Sequence, residues 1–386
     1  MNKNFVIISA VLMYAISTYF SHAYFAPRMT TRSLGDSNHI VADIDPAQVD
    51  DKGDYTGPKT EECPLNGAML TKNHKVNWSQ HRPLGVMIEN HTEARPQSGL
   101  SSADVVYEFV AEGGITRFLG VFYCQNARFV GPVRSARVYF ISMLQGYGEF
   151  PLYAHVGGAN TDGPADALGQ IADMGWGNYN DMNQFSIPFP TFYRDYSRLE
   201  GVATEHTMYS STDKLWKFAA DKRKLTDKDE DGVEWDSTFK PWLFEDGKPG
   251  ADSATKISYD FWENYLTHSV SWTYEKATNS YIRSHQKGGQ HLDKNTGKPI
   301  TPKNVVVMFV KEAKANDGYE GGHMLYGTTG KGEAVVFHNG DAIKATWKKP
   351  TDTDQVRFYD NSGDEIPMVR GQVWISGIPI GNEVSY

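Results

Sequence analysis

An uncharged run near the amino terminus constrains this chain more than any other feature. Lys3 precedes FVIISAVLMYAISTYF, Phe5 to Phe20, and the apolar character fades through Ser21–Phe25. About 20 apolar residues cross a bilayer, whereas roughly 10–14 suit the hydrophobic region of a signal peptide. This run lies between the two. Ser21-His22-Ala23 offers a small-residue cleavage site with poorly suited Tyr and His neighbours. The reading is therefore an uncleaved transmembrane anchor over residues 1–25, with a cleaved signal as the alternative. Lys3 faces Arg28 and Arg32 across the span, so the positive-inside rule is nearly balanced. Either way, the expectation is an ectodomain working outside the cytoplasm, in a cell envelope.

Residues 26–62 are polar, rich in Asp, Thr, Pro and Gly, and read as a flexible stalk. Of 386 residues, 40 % are hydrophobic and 13 % aromatic, a globular composition long enough for two domains with a sizeable core. The net charge of −9 argues against general nucleic-acid binding, which needs a basic footprint. Cys63 and Cys124 are the two cysteines. In an exported chain they suggest one disulfide, with two separate buried thiols as the alternative.

From residue 63 to 225 the pattern is α/β. LGVMIEN, ADVVYEFVAE, ITRFLGVFYC and PLYAHVGG read as strands, with Gly113-Gly114 turning the second into the third. A helix is expected from about Ser135 to Gln145, and another in GPADALGQIADMG. Residues 226–256 form an acidic linker or insertion. Residues 257–386 are β-rich, with hairpin signals in SVSWTYEKATNSYIRS and AVVFHNGDAIKATWKK. The fold class is α/β, α+β overall: a mixed-sheet first domain with helices, then a β-rich second domain, after the anchor and stalk.

Three constellations could carry chemistry. Gly131-Pro132-Val133-Arg134-Ser135-Ala136-Arg137 places two arginines three apart at a helix start, where free N–H groups and planar guanidinium forks suit phosphate or carboxylate. Asp104, Glu108, Glu112 and Arg117 are charges written into strands; Glu108 and Glu112, four apart, are expected on one face. Such charges are costly to bury unless paired, so an internal ion-pair network competes with a site that holds an anion or a Mg²⁺. His155 lies at a strand end, where α/β sheets place ligands; His206 and His291 are further candidates for proton transfer or metal ligation. The expected roles are proton transfer or orientation by His155, Asp104 and Glu112, and anion binding by Arg117, Arg134 and Arg137. Asp227, Asp229 and Asp231 are spaced as in a calcium loop, but Thr238 stands where that loop needs its bidentate Glu. There is no GxSxG, GxxxxGK[ST] or helix-opening GxGxxG motif.

RPLGVMIENHTEARPQSGLSSADVVYEFVAEGGITRF, GPVRSAR, HVGG, HLDKNTGK, KNVVVMFV and RFYDNSGDEIPMVRGQVWI, spread over residues 83–386, resemble the YerB-like lipoproteins of bacteria. The resemblance implies a bacterial source, an extracytoplasmic location, and N- and C-terminal family domains, with no established activity. The chain departs from that pattern in lacking a cysteine for lipid attachment near its start. A second resemblance, in order of parts, is to the LytR-CpsA-Psr envelope phosphotransferases, which move glycans from a polyprenyl-pyrophosphate carrier with arginines and an acid-bound Mg²⁺. It implies comparable places for Asp104, Arg134 and Arg137, although GPVRSAR lacks that family's Arg-Asp pair. The two function readings are a binding module for an anionic or glycan ligand or a partner protein, and an envelope phosphotransferase-like or hydrolytic enzyme. Trp272, Trp347 and Trp374 would suit a protein- or glycan-binding module if exposed, although strand tryptophans are more often core.

Overall fold

The computed structural model describes residues 56–386 apart from Asn264 and residues 286–288. The expected anchor and the stalk as far as residue 55 lie outside the described residues. Among the described residues, no helix is long and apolar enough to cross a membrane. The folded part starts earlier than expected: Lys59–Glu62, placed in the stalk by sequence, pairs antiparallel with Met69–Thr71.

Ten strands form the main sheet. In chain order they are β1 (Leu84–Glu89), β2 (Val105–Glu112), β3 (Ile115–Phe122), β4 (Leu152–His155), β5 (Asp181–Asn183), β6 (Asn304–Val310), β7 (Gly330–His338), β8 (Asp341–Lys349), β9 (Arg357–Tyr359) and β10 (Val373–Pro379). Their spatial order is β9-β8-β7-β6-β10-β2-β3-β1-β4-β5. The segments on either side of 226–256 thus share one sheet: β10 lies parallel to both β2 and β6. VVYEFVAE is apolar almost throughout because β2 is central and covered on both faces, the condition under which strand alternation gives way to a continuous hydrophobic run.

The expected helices form α2 (Val138–Gln145) and α3 (Ala167–Asp173), after a short α1 (Lys72–Trp78) and before α4 (Thr212–Arg223). Ser211 caps α4, its hydroxyl accepting from the Lys214 N–H at 3.2 Å. α2 packs closely on β1 at Gly85, where a Cβ would lie 2.7 Å from a Leu144 methyl and displace that side chain. The other sheet face meets a second, five-stranded sheet built on Lys256–Tyr259, Val270–Glu275 and Ser280–His285. Trp272 of that sheet meets Trp374 of β10 edge-on, with centroids 5.5 Å apart. Trp272, Trp347 and Trp374 are all buried, so they form core and not the exposed aromatic surface expected of a binding module. Each indole N–H finds an acceptor inside the fold: Tyr259 Oη, the Phe309 carbonyl and Glu108 respectively.

Cys63 and Cys124 form a disulfide with Cα atoms 5.9 Å apart, resolving the alternative in favour of a bridge. It closes a loop spanning 61 positions, and constraint of the unfolded chain by such loops is worth typically about 2–4 kcal/mol.

Candidate functional site

Strands β1, β2, β4 and β5 run in one direction and end at a common sheet edge. That edge carries most of the charged residues read from the sequence. Arg117, on β3, sits opposite both Glu89 of β1 and Phe109 of β2. Its guanidinium donates to Glu112 Oε1 at 2.9 Å and to the Ser135 carbonyl at 3.1 Å. Arg137, the N-cap residue of α2, donates to the other oxygen of Glu112. Arg134 lies with Nε 3.1 Å from Glu89 Oε1, and His206 Nδ1 lies 2.8 Å from Glu89 Oε2. Burial raises the cost of ionising Glu112, but the two guanidinium groups outweigh it and hold the carboxyl down at about 2. Arg117, Arg134 and Arg137 are brought together as expected, yet all three are engaged by carboxylates. The arrangement is an internal ion-pair network, with Arg134 the most accessible of its arginines.

The remaining charged residues divide. Glu108 and Glu112 do not share a face. A β-bulge between Val110 and Glu112 breaks the alternation of β2. Glu108 therefore bonds Thr116 while Glu112 bonds Arg117, and those neighbours point to opposite sides of β3. Asp104 stands at the other end of β2, eight residues or roughly 26 Å from Glu112. Fully buried, it accepts the N–H groups of Tyr123 and Cys124 at 2.7 and 2.9 Å and the amide of Asn66 at 2.8 Å. Burial pushes its carboxyl up to about 7 against the pull of those donors. Asp104 fastens the disulfide region and cannot meet the arginines, so the order-of-parts likeness to the phosphotransferases does not extend to a converged site.

His155 has no exposed surface, and its Nδ1 lies 2.7 Å from the Gly157 carbonyl and its Nε2 2.5 Å from Asp181 Oδ1. Neither nitrogen is available to a substrate, so it fixes β4 to β5 rather than transferring protons. The calcium-loop aspartates do not gather their oxygens: Asp229 accepts the N–H groups of Asp231 and Val233 within its own turn. Asp227, Asp229 and Asp231 form no ligand cluster among the described residues.

The opposite face holds what sequence reasoning missed. Arg283 Nη2 donates to both oxygens of Glu108 at 2.9 Å, with both side chains wholly buried. Arg283 also donates from Nη1 to His291 Nδ1 at 2.7 Å, and His291 Nε2 lies 2.6 Å from Gln97 Oε1. Burial, then the Arg283 charge, hold His291 and His285 well below the usual histidine range, so both rings are neutral. Beside them opens a cavity of about 370 Å³ lined by Thr92, Arg95, Pro96, Thr267, His285 and the 290–292 turn. Arg95 donates from Nε to Asn90 Oδ1, from Nη2 to the Asn90 carbonyl and from Nη1 to the Thr267 carbonyl, at 2.9–3.1 Å. All three acceptors are uncharged, and no carboxylate lies within ion-pair distance of Arg95 among the described residues. Arg283 carried a signal: Tyr281, Arg283 and His285 occupy the inward positions of an alternating strand. Arg95 carried none, because its surroundings depend on Thr267, His285 and the 290–292 turn, far away in sequence.

Comparison with known proteins bears on both halves. Residues 70–226 match the family model described as the N-terminal domain of a protein of unknown function, DUF3048, and residues 257–375 match that of its C-terminal domain. YerB of Bacillus subtilis (strain 168), named as a candidate lipoprotein, is 33 % identical over 324 residues, 83 % of this chain and 87 % of that protein. The crystal structure of the YerB protein from Bacillus subtilis matches with a TM-score of 0.67 and 27 % identity, covering 84 % of this chain and 100 % of that one.

Proposed function

The chain belongs to the DUF3048 family of YerB-like proteins, and from that premise we propose that it is a membrane-anchored, extracytoplasmic binding protein that takes a small anionic molecule against Arg95. The observation that carries this reading is the lone guanidinium at the cavity mouth. Three of the five N–H donors of an arginine are spent on neutral oxygens, leaving one on each terminal nitrogen for a ligand. A ligand bringing a carboxylate or phosphate would supply the missing counter-charge in bidentate geometry. The neutral His285 lines the cavity without adding a competing charge, and the mainly apolar wall suits an amphipathic body.

The location rests on the Phe5–Phe20 run, on the disulfide, and on the lipoprotein name carried by YerB. Cys63 is bonded to Cys124 and offers no thiol for lipid, and in this reading the Phe5–Phe20 run holds the chain at the membrane. The enzymatic alternative has little support in the geometry: Glu112 is saturated by arginines, and His155 has no free nitrogen.

The test is calorimetric binding of farnesyl phosphate, with farnesol as the neutral control, to the full-length protein in detergent. The phosphate should bind and the alcohol should not. Arg95→Ala should weaken binding at least tenfold, about 1.4 kcal/mol. Equal binding of both compounds, or an Arg95→Ala variant with native affinity, would remove the proposal.

A further inference from the structure

At the end of β1 the chain makes a single 3₁₀ turn, Thr92–Ala94, that sets His91 and Glu93 beside His206. One ligand atom from each of the three residues lies within 4.8 Å of the others. We propose that His91, Glu93 and His206 bind a divalent transition-metal ion, Zn²⁺ being the best match to the donor set. This inference stands apart from the anionic-ligand reading and requires no part of it.

The donors fit in type. Two imidazoles and one carboxylate are a recurrent three-ligand set for Zn²⁺ that keeps a coordination position open. They fit in spacing as well. Bonds of about 2.0–2.2 Å in tetrahedral array put ligand atoms roughly 3.4 Å apart, and His206 Nε2 lies 3.4 Å from Glu93 Oε2.

The surroundings fit too. A metal-binding histidine ordinarily gives its other ring N–H to a carboxylate, which fixes the tautomer and aims the free nitrogen. His206 does this: Nδ1 meets Glu89 Oε2 at 2.8 Å, which turns Nε2 toward Glu93. Glu89 is in turn held by Arg134, so the supporting shell is anchored at both ends. His206 and Glu89 are buried and positioned, whereas the Glu93 side chain is half exposed. The partly buried His91 ring stacks on His206 with centroids 4.9 Å apart and its Nδ1 accepts the Glu93 N–H at 3.3 Å, so it must swing about its side-chain torsions to present a lone pair. Metal binding therefore closes two surface side chains onto one prepared histidine.

The competing arrangement is an imidazolium at His206 bridging Glu89 and Glu93 with no metal, and the experiment separates the two. Full-length protein in detergent is stripped with EDTA and titrated with Zn²⁺ in competition with a chromophoric chelator; Co²⁺ substitution is followed by visible absorption. The expected result is one equivalent of Zn²⁺ at micromolar affinity or tighter, with Co²⁺ bands of a low-coordinate N/O site. Glu93→Gln and His91→Ala alter accessible side chains and should each weaken Zn²⁺ binding at least tenfold. Glu89→Gln, which leaves all three ligands in place, should weaken it about 10–100-fold. Because His206→Ala removes a buried partner of Glu89, the accessible variants decide the matter. No stoichiometric Zn²⁺ binding, or binding that survives the His91→Ala/Glu93→Gln pair, overturns the proposal.

Discussion

Replacing Arg283 with methionine should cost about 3–5 kcal/mol of stability, a large part of what a folded chain commonly has. The Glu108 carboxylate would stay in a place with no solvent access. Three weaker donors would remain: Thr116 Oγ1 at 2.8 Å, Trp374 Nε1 at 3.1 Å and Asn90 Nδ2 at 3.4 Å. They can solvate a carboxylate but cannot neutralise it, and burying an unpaired charge is among the most expensive single changes. Arg283 also fills space against three aromatic rings, its guanidinium carbon lying 4.9 Å from the Trp374 centroid and 5.6 Å from those of Phe118 and Trp272. Methionine keeps much of that volume and so isolates the electrostatic part of the loss. Pairing it with Glu108→Gln should recover stability, because a buried ion pair replaced on both sides is often near neutral whereas one broken on one side is not. Urea unfolding of the native protein, both single variants and the double variant completes the cycle. If the single variants unfold at the native midpoint, the pair is not desolvated and the account of this face fails.

That pair also shows where sequence reasoning stops. The strands were legible because each is a short apolar run bounded by turn residues, and β1, β2, β3, β4 and the β7–β8 hairpin lie close to where the text put them. Local chemistry was legible as well: GPVRSAR leads into α2. The arginine cluster at Arg117, Arg134 and Arg137 was found because those residues sit at strand and helix ends that the topology gathers at one edge. What could not be read is set by pairing between distant segments. Glu108 meets Arg283 across 175 positions, and Arg95 meets Thr267 across 172. Period-two alternation put Glu108 and Glu112 together, and one bulge at Val110 undid it. Asp104 reads as a polar residue at a strand mouth in either role, and only the Tyr123 and Cys124 amides decide between them.

The bulge has a thermodynamic consequence, because it is what delivers Glu112 to Arg117 and Arg137. Glu112→Gln should destabilise the protein by up to about 3 kcal/mol, since it leaves two buried guanidinium groups side by side without a carboxylate between them. A pH series distinguishes this from lost packing. The folded carboxyl titrates near 2 against an ordinary value of 4.5. A depressed folded pKa means the unfolded chain binds the proton first as the pH falls, so the contribution is complete above 4.5 and disappears between about 4.5 and 2. A displacement of about 2.5 units at roughly 1.4 kcal/mol each puts the size near 3 kcal/mol, an upper figure because the side chain keeps 23 % exposure. The native protein should therefore lose stability steeply from pH 4.5 downward, while the Glu112→Gln variant, already lacking the interaction, should show a shallower fall over the same interval. Converging curves at low pH would mark the ion-pair network as the cause. Parallel curves across the interval would mean that Glu112 acts through shape alone, and that its ionisation does not hold the sheet edge together.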